Sequence, residues 1–434
     1  MRHVLQIAVV AAAVLAACSC GGGSGSSSVS NGSVPPSSTN NTAPVVVDAG
    51  PQALQNAGMI ATNLPFVTIT VCVPNTSTCQ TIDHVQVDTG SSGLRIVSSV
   101  LTIPLPQQMD SSGANPVAEC NQFGDGFTWG PVQTADIQIA GEQAKAVPIQ
   151  VTNGSFNTIP QACLNTGPEE DDVVHLGANG VLGIGVFRQD CGSGCALTTS
   201  DPNFVAFYYS CPAAGCQATS ESATAQLQNP VWMFATDNNG VVLQLPAIAS
   251  SSGQATASGS LFFGIGTQAD NSVSNANLVS VDSATGLFAV TFAGMLFNDF
   301  NGPGSGHGSS IFDSGSNAIF FLDSSTPQIS SAGLRDCPSP EQGFYCGPNT
   351  PQTFTAEIQG DDSFGTPSGS MFFVNFAIEG ADQLPRNFSA FNDIGGANPD
   401  AFDFGLPFFF GRSVYTAIEG QNTPDGAGPF FAFK

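Results

Sequence analysis

Apolar residues fall in short runs along this chain, and Gly, Ser, Thr, Asn and Pro interrupt them about every 8 to 12 positions. That spacing predicts many short strands and a mainly β fold. Two stretches show the pattern most sharply. In HVQVDTGSSGLRIV, residues 84–97, Val85, Val87 and then Leu94 to Val97 read as buried strand fragments on either side of a tight Asp-Thr-Gly turn. In SSIFDSGSNAIFFL, residues 309–322, an apolar pair, Asp-Ser-Gly-Ser and an apolar run repeat the plan. After residue 18, nothing approaches the roughly 18 continuous apolar residues of a membrane-spanning helix.

Length and composition narrow the picture. The 434 residues allow two or three average domains or one large two-lobed one. Hydrophobic residues at 41% support a real core, and 33 Phe against 4 Tyr and 2 Trp fill it with rings that have few polar handles. Charged residues make up only 9%, against about 25% in an average globular chain. With 8 Lys plus Arg against 33 Asp plus Glu, the net charge is -25, which excludes nucleic acid and electrostatic binding to an anionic membrane. The same balance favours solubility and tolerance of acid, although a lineage-wide bias in composition accounts for it equally well.

The N-terminus carries an export signal. Arg2 is a short cationic segment, Val4 to Leu15 is apolar, and small residues lead into Cys18. The ending Leu15-Ala16-Ala17-Cys18 resembles the lipobox of bacterial lipoproteins, which implies lipidation at Cys18; a plain signal cleaved nearby is the alternative. Ser19 stands where inner-membrane lipoproteins usually carry Asp, so the expected location is the outer membrane of a Gram-negative bacterium. Residues 19–58 begin as a Gly/Ser-rich run with a Pro pair and read as a flexible tether. They lack the basic residues of a zymogen segment, so none is expected. Beyond Cys18 and Cys20, ten cysteines remain, an even number suited to disulfides in an exported domain. Cys72 with Cys79 and Cys337 with Cys346 are close enough for local closure. Cys120 with Cys163 follows by elimination, and Cys191, Cys195, Cys211 and Cys216 allow more than one pairing. No metal is expected, because CGSGC has poor ligand spacing and His3, His84, His175 and His307 form no cluster with cysteine.

The two aspartate strings carry the chemistry. One D-[ST]-G-[ST] string is weak, arising by chance in roughly one chain in twenty of this length. Two, each with apolar flanks and 225 residues apart, suit one loop per lobe. Here the sequence resembles the pepsin-like aspartic proteases, over about residues 60–434. VLG at 181–183 looks like the segment crossing behind the first aspartate loop, and FGDGFTWGPVQTADIQIAG, residues 123–141, like the flap hairpin and its return strand. ASGSLFFGIG, residues 257–266, is similar to the strand after the lobe crossover. FGLPFFFGRSVYTAIE, residues 404–419, resembles the second crossing segment, with Gly405 or Gly411 as its glycine. The chain is also similar to a bacterial lipoprotein family known only as a domain of unknown function.

That resemblance implies a mainly β, two-lobed fold with a cleft between a lobe at 59–230 and a lobe at 231–434. It implies Asp88 and Asp313 as an acidic-pH catalytic pair that activates a water, with no cofactor. Thr89 and Ser314 would lock the loops, Gly90 and Gly315 would permit the turns, and Ser91 and Ser316 would bond the outer carboxyl oxygens. The flap at Phe123, Gly124, Asp125 and Gly126 would close over an extended polypeptide, and a monomer is expected. The usual flap Tyr and its Trp partner are here Phe123 and Arg95. An Arg near the pair would favour ionisation and lower its pKa values.

Rival readings are a non-catalytic surface lipoprotein that uses the same cleft to bind peptide or glycan, and calcium sites at Glu169–Asp172 or Asp237–Gly240. Neither acidic stretch has spaced loop oxygens, so solvated loops are expected. His307, in a Gly-rich stretch, reads as a loop residue and not a catalytic base. Arg188, Arg335, Arg386 and Arg412 read as isolated surface or ion-pair residues.

Overall fold

The computed structural model describes residues 41–249, 253–297, 308–362 and 366–434. The expected export signal, Cys18, the first part of the expected tether and His307 lie outside them. The chain is mainly β, as its turn spacing predicts.

In the first half, strands β1 (Thr42–Val47), β2 (Pro65–Cys72), β3 (Cys79–Asp88), β4 (Ser92–Val97), β5 (Val117–Gln122), β6 (Phe127–Ile139), β7 (Glu142–Thr152) and β8 (Gly180–Ile184) form most of one large sheet. Within it the order β6-β7-β4-β8-β3-β2, with a further pairing of β2 to β6, closes a ring of six strands. Short strands β9 (Tyr208–Ser210) and β10 (Gln217–Ala218) extend the sheet beyond β5.

The second half opens with β11 (Gly240–Gln244), β12 (Ala257–Phe263), β13 (Asn277–Ser280), β14 (Ala289–Phe292), β15 (Met295–Phe297), β16 (Ser310–Phe312) and β17 (Ile319–Leu322). It continues with β18 (Arg335–Asp336), β19 (Tyr345–Cys346), β20 (Gln352–Asp361), β21 (Pro367–Ile378), β22 (Gly395–Gly396), β23 (Asn398–Phe404), β24 (Ser413–Ala417), β25 (Asn422–Thr423), β26 (Gly426–Ala427) and β27 (Phe430–Phe433). The sheet of the first half runs on through β1-β12-β11-β24-β27-β13.

The tether therefore ends well before residue 58. In β1, Ala43, Val45 and Val47 are buried while their neighbours are half exposed, the period-two pattern of a strand with one face in the core. This strand pairs along its whole length with β12 and at its end with β2, so it stitches the two halves together. The helix Gln52–Asn56 follows it and buries Leu54.

Among the described residues five disulfides form: Cys72–Cys79, Cys120–Cys163, Cys191–Cys195, Cys211–Cys216 and Cys337–Cys346. The first and last are the expected local closures, Cys120–Cys163 is the pair reached by elimination, and the cluster of four resolves into its two nearest-neighbour bonds. The phenylalanines concentrate under the second aspartate loop. Phe312 stacks on Phe408 with centroids 4.5 Å apart and also meets Phe288, Phe404, Phe431 and Phe433. Rings bury large areas without adding polar groups that need partners.

Candidate active site: two aspartates at the meeting of two loops

Each aspartate sits where one strand ends and the chain turns sharply before the next. Strand β8 lies between β3 and β4, parallel to the first and antiparallel to the second. Strand β23 lies in the same way between β16 and β17. The register sets Asp88 opposite Gly183, and Asp313 donates its amide to Phe404 O at 3.1 Å, one residue before Gly405. A Cβ on Gly183 would stand 2.7 Å from Ser91 Oγ, and one on Gly405 would stand 2.1 Å from Ala318 O. Only glycine lets the crossing strand pass that close. Of the two candidates, Gly405 is thus the counterpart of Gly183, and Gly411 is not.

The loops hold each other through hydroxyls. Thr89 Oγ1 donates to Phe312 O at 3.0 Å and accepts from Ser314 N at 2.9 Å. Ser314 Oγ donates to Val87 O at 2.8 Å and accepts from Thr89 N at 3.1 Å. Four buried backbone groups that would otherwise be orphaned are satisfied reciprocally. Within each loop a backbone amide meets the inner oxygen: Gly90 N to Asp88 Oδ1 at 2.8 Å and Gly315 N to Asp313 Oδ1 at 2.7 Å. Ser91 Oγ bonds Asp88 Oδ2, and Ser316 Oγ lies 3.1 Å from Asp313 Oδ2.

The carboxyls face each other at close range. A Cβ on Gly315 would lie 2.6 Å from Asp88 Oδ1 and 3.0 Å from Asp313 Oδ1. Those oxygens are separated by no more than the sum of the two distances, inside the roughly 6 Å over which like carboxyls compete for a proton. Both residues are buried. Burial, then the adjacent Asp88 and Asp403, push the Asp313 carboxyl well above the ordinary range. Two acids so placed can hold one proton between them.

Two expectations are corrected. Arg95 does not act on the pair: its guanidinium is fully buried against Glu119 Oε1 at 2.7 Å, Asn121 Oδ1 at 2.9 Å and Asp190 Oδ2 at 3.3 Å. The charge is neutralised there, and the shift of Asp313 is set chiefly by burial, Asp88 and Asp403. Second, the hairpin over residues 123–126 is not a free flap. Phe123 N and Gly126 O close its turn, but the Phe123 ring is buried with Leu54, Leu64, Phe66 and Val97, and Arg95 stands 5.9 Å from the ring centroid. A cation–π contact thus joins the two residues that stand where the resemblance implies a Tyr and its Trp partner. Gly124 is exposed at the tip and Asp125 half-buried.

What pins the hairpin is the acidic loop that was expected to be solvated. Phe127 donates its amide to Pro168 O and Glu170 donates to Phe127 O, both at 2.9 Å, and Asp171 Oδ1 accepts from Trp129 N at 2.8 Å. Cys120–Cys163 fastens the other strand of the hairpin, β5. Burial, then Asp125, raise the Glu170 pKa to about 9, and burial, opposed by the Trp129 amide, raises that of Asp171 to about 8. Among the described residues no group of three or more potential metal ligands clusters.

The remaining singled-out residues are structural. Asn239 bonds Ile265 O and Asn422 O inside the Asp237–Gly240 turn. Arg335 pairs with Asp382 and Arg386 with Glu341, whereas Arg188 and Arg412 lie over the rings of Trp232 and Phe408. Sequence reasoning missed Asp403 altogether. Its one signal was a carboxylate in an otherwise apolar crossing segment, Phe402-Asp403-Phe404.

In overall shape the chain is similar to the aspartic proteinase from Irpex lacteus, with a TM-score of 0.51 and 11% identity, covering 90% of this chain and 96% of that one. At that identity the likeness is one of fold. No curated protein matches the sequence. A family model does match, over residues 37–433, and the chain belongs to that family, described as a protein of unknown function (DUF3443).

Proposed function

We propose that this chain is an aspartic endopeptidase in which Asp88 and Asp313 share one proton across a cleft between two lobes. The observation that carries the reading is the reciprocal lock of Thr89 and Ser314, which holds two buried carboxyls within proton-sharing reach. With one acid charged and one protonated, the charged carboxylate takes a proton from an attacking water. The protonated acid donates to the peptide carbonyl oxygen. An extended polypeptide would lie in the cleft by strand-like pairing, and a lipid at Cys18 would hold the enzyme, as a monomer, at the outer membrane of a Gram-negative bacterium. The test is cleavage of an unfolded protein between pH 3 and 6 by the full exported chain, with and without a statine-type inhibitor. Activity lost in Asp88→Asn and blocked by the inhibitor is expected; no cleavage at any pH refutes the reading.

Two observations favour a second reading, a peptide- or glycan-binding surface lipoprotein. The hairpin is fastened by Cys120–Cys163 and by residues 168–171, and both carboxyls are shielded from solvent. On that reading, ligand binds equally to the native chain and to Asp88→Asn and is recovered intact.

A further inference from the structure

The two aspartate loops share one plan, but their crossing strands differ two residues before the crossing glycine. In the first half, the register pairs Gln86 with Val181; in the second, Ile311 with Asp403. Where the first crossing strand presents an apolar side chain, the second presents a fully buried carboxyl. Asp403 Oδ2 lies 2.5 Å from Ser316 Oγ, and that same hydroxyl lies 3.1 Å from Asp313 Oδ2. The shorter distance is typical of an O–H···O⁻ bond, roughly 2.5–2.7 Å, and Ser316 has a single proton to give. The other carboxyl oxygen, Asp403 Oδ1, is buried without a hydrogen-bond partner. A carboxyl placed for stability alone would have both oxygens satisfied.

The surroundings supply no counter-charge. Along β23 its neighbours are Phe402 and Phe404, and across the strands it faces Ile311 and Phe320. The charged groups that reach it are Asp88 and Asp313, and none of the ion pairs among the described residues includes it. Burial, partly offset by the Ser316 hydrogen bond, raises its own pKa well above the ordinary value.

We propose that Asp403 is a third carboxyl of this site, a positioning residue that governs through Ser316 Oγ whether the outer oxygen of Asp313 is held protonated or ionised. The proposal rests on the reading of Asp88 and Asp313 as a working pair. With Asp403 ionised, Ser316 donates to it and accepts from protonated Asp313. With Asp403 protonated, the direction reverses: the Asp403 O–H donates to Ser316, and Ser316 donates to ionised Asp313 Oδ2. Passing from the second state to the first breaks the Asp403 O–H bond and forms one on Ser316. The original Ser316 proton moves to Asp313 Oδ2, and the negative charge passes from Asp313 to Asp403. The third acid thereby keeps a proton on the pair at a higher pH than two acids alone would hold it.

The test compares the full exported chain with Asp403→Asn, which keeps the shape and the donor to Ser316 but cannot ionise. Titration of ¹³C-labelled aspartate carboxyls by NMR is expected to show the Asp313 transition moving acidward by about one unit or more in the variant. An unmoved transition overturns the proposal, whether or not the protein cleaves peptides. Where cleavage is observed, the alkaline limb of kcat/KM is expected to move acidward by the same amount with KM unchanged, and superimposable profiles overturn the proposal. Absence of cleavage with a moved Asp313 transition refutes the peptidase reading and leaves the role of Asp403 supported. Asp403→Leu guards against a folding artefact: it lacks both charge and donor, and it too must move the transition acidward.

Discussion

Arg95→Met removes the one cation from a fully buried cluster, and its cost follows from what is left. The guanidinium donates to Ser92 O at 3.0 Å, Glu119 at 2.7 Å, Asn121 at 2.9 Å and Asp190 at 3.3 Å. Methionine fills much of the same volume, so the loss is chiefly electrostatic. Breaking a buried pair by removing one partner costs about 3–5 kcal/mol, because the surviving charge has lost its solvent and gained nothing. Here two carboxyls survive. Against a total stability of about 5–15 kcal/mol, that is a severe loss at neutral pH. It must also depend on pH. Burial, followed by the nearby Glu119, already raises the Asp190 pKa well above normal, with Arg95 opposing. Without Arg95 the folded protein takes up protons at a pH where the unfolded chain does not, so the deficit shrinks as pH falls. Urea unfolding at pH 7 and pH 4.5 should show about 3–5 kcal/mol lost at the first and at least about 1 kcal/mol of it restored at the second. Arg95→Met with Glu119→Gln and Asp190→Asn, which neutralises the cluster, should recover most of the loss. A single variant within about 1 kcal/mol of the native chain at pH 7, or a deficit equal at both pH values, refutes the argument.

Three further outcomes are expected. Although burial opposes its charge, Asp48 and Asp83 raise the His84 pKa to about 9. The stability it contributes is complete below the ordinary histidine pKa and lost as pH rises through about 9, so the native midpoint should fall between pH 8 and 10 more than that of His84→Gln. Glu170 and Asp171, raised to about 9 and about 8, stay neutral in acid and repel once ionised. Amide exchange at residues 123–127, corrected for its intrinsic pH dependence, should therefore quicken as pH rises toward 9, and less so in Glu170→Gln. Replacing Cys120 and Cys163 together by Ala opens a loop with a separation of 43 residues, which chain entropy sets at roughly 4 kcal/mol; calorimetry showing less than about 1 kcal/mol would assign the bond no such role.

Local pattern was enough to find the loops, because Asp-[Ser/Thr]-Gly-Ser between apolar runs is chemistry and geometry written in one string. It was also enough for disulfides separated by 7 and 9 residues. It failed where the partner is remote. Glu119 and Asp190, which neutralise Arg95, lie 24 and 95 residues away, so Arg95 read alone looked like a cation free to act on the aspartates. The run Glu169-Glu170-Asp171-Asp172 looked solvated because four acids in a row usually are, yet hydrogen bonds to Phe127 and Trp129 draw part of it under the hairpin. Residues 42–47 failed for the opposite reason: their alternation is clear, but it follows a Gly/Ser run whose character was extended over them.

The misses around the site share a direction. Each conceals a carboxyl held away from water: Asp190 beside Arg95, Glu170 and Asp171 beneath the hairpin, Asp403 behind Asp313. With 33 acidic residues and 8 cations the chain cannot give every buried acid a cation: Asp190 has Arg95, whereas burial favours the neutral forms of Glu170, Asp171 and Asp403. Neutral carboxyls are uncharged hydrogen-bonding groups only while they keep their protons. Rising pH is therefore expected to work on the hairpin and on the aspartate pair by one mechanism, charging acids that face no cation. The acid tolerance expected from net charge alone would thus have a location. It would reside in a few buried carboxyls grouped around the hairpin and the two loops, with no part required of the surface charge.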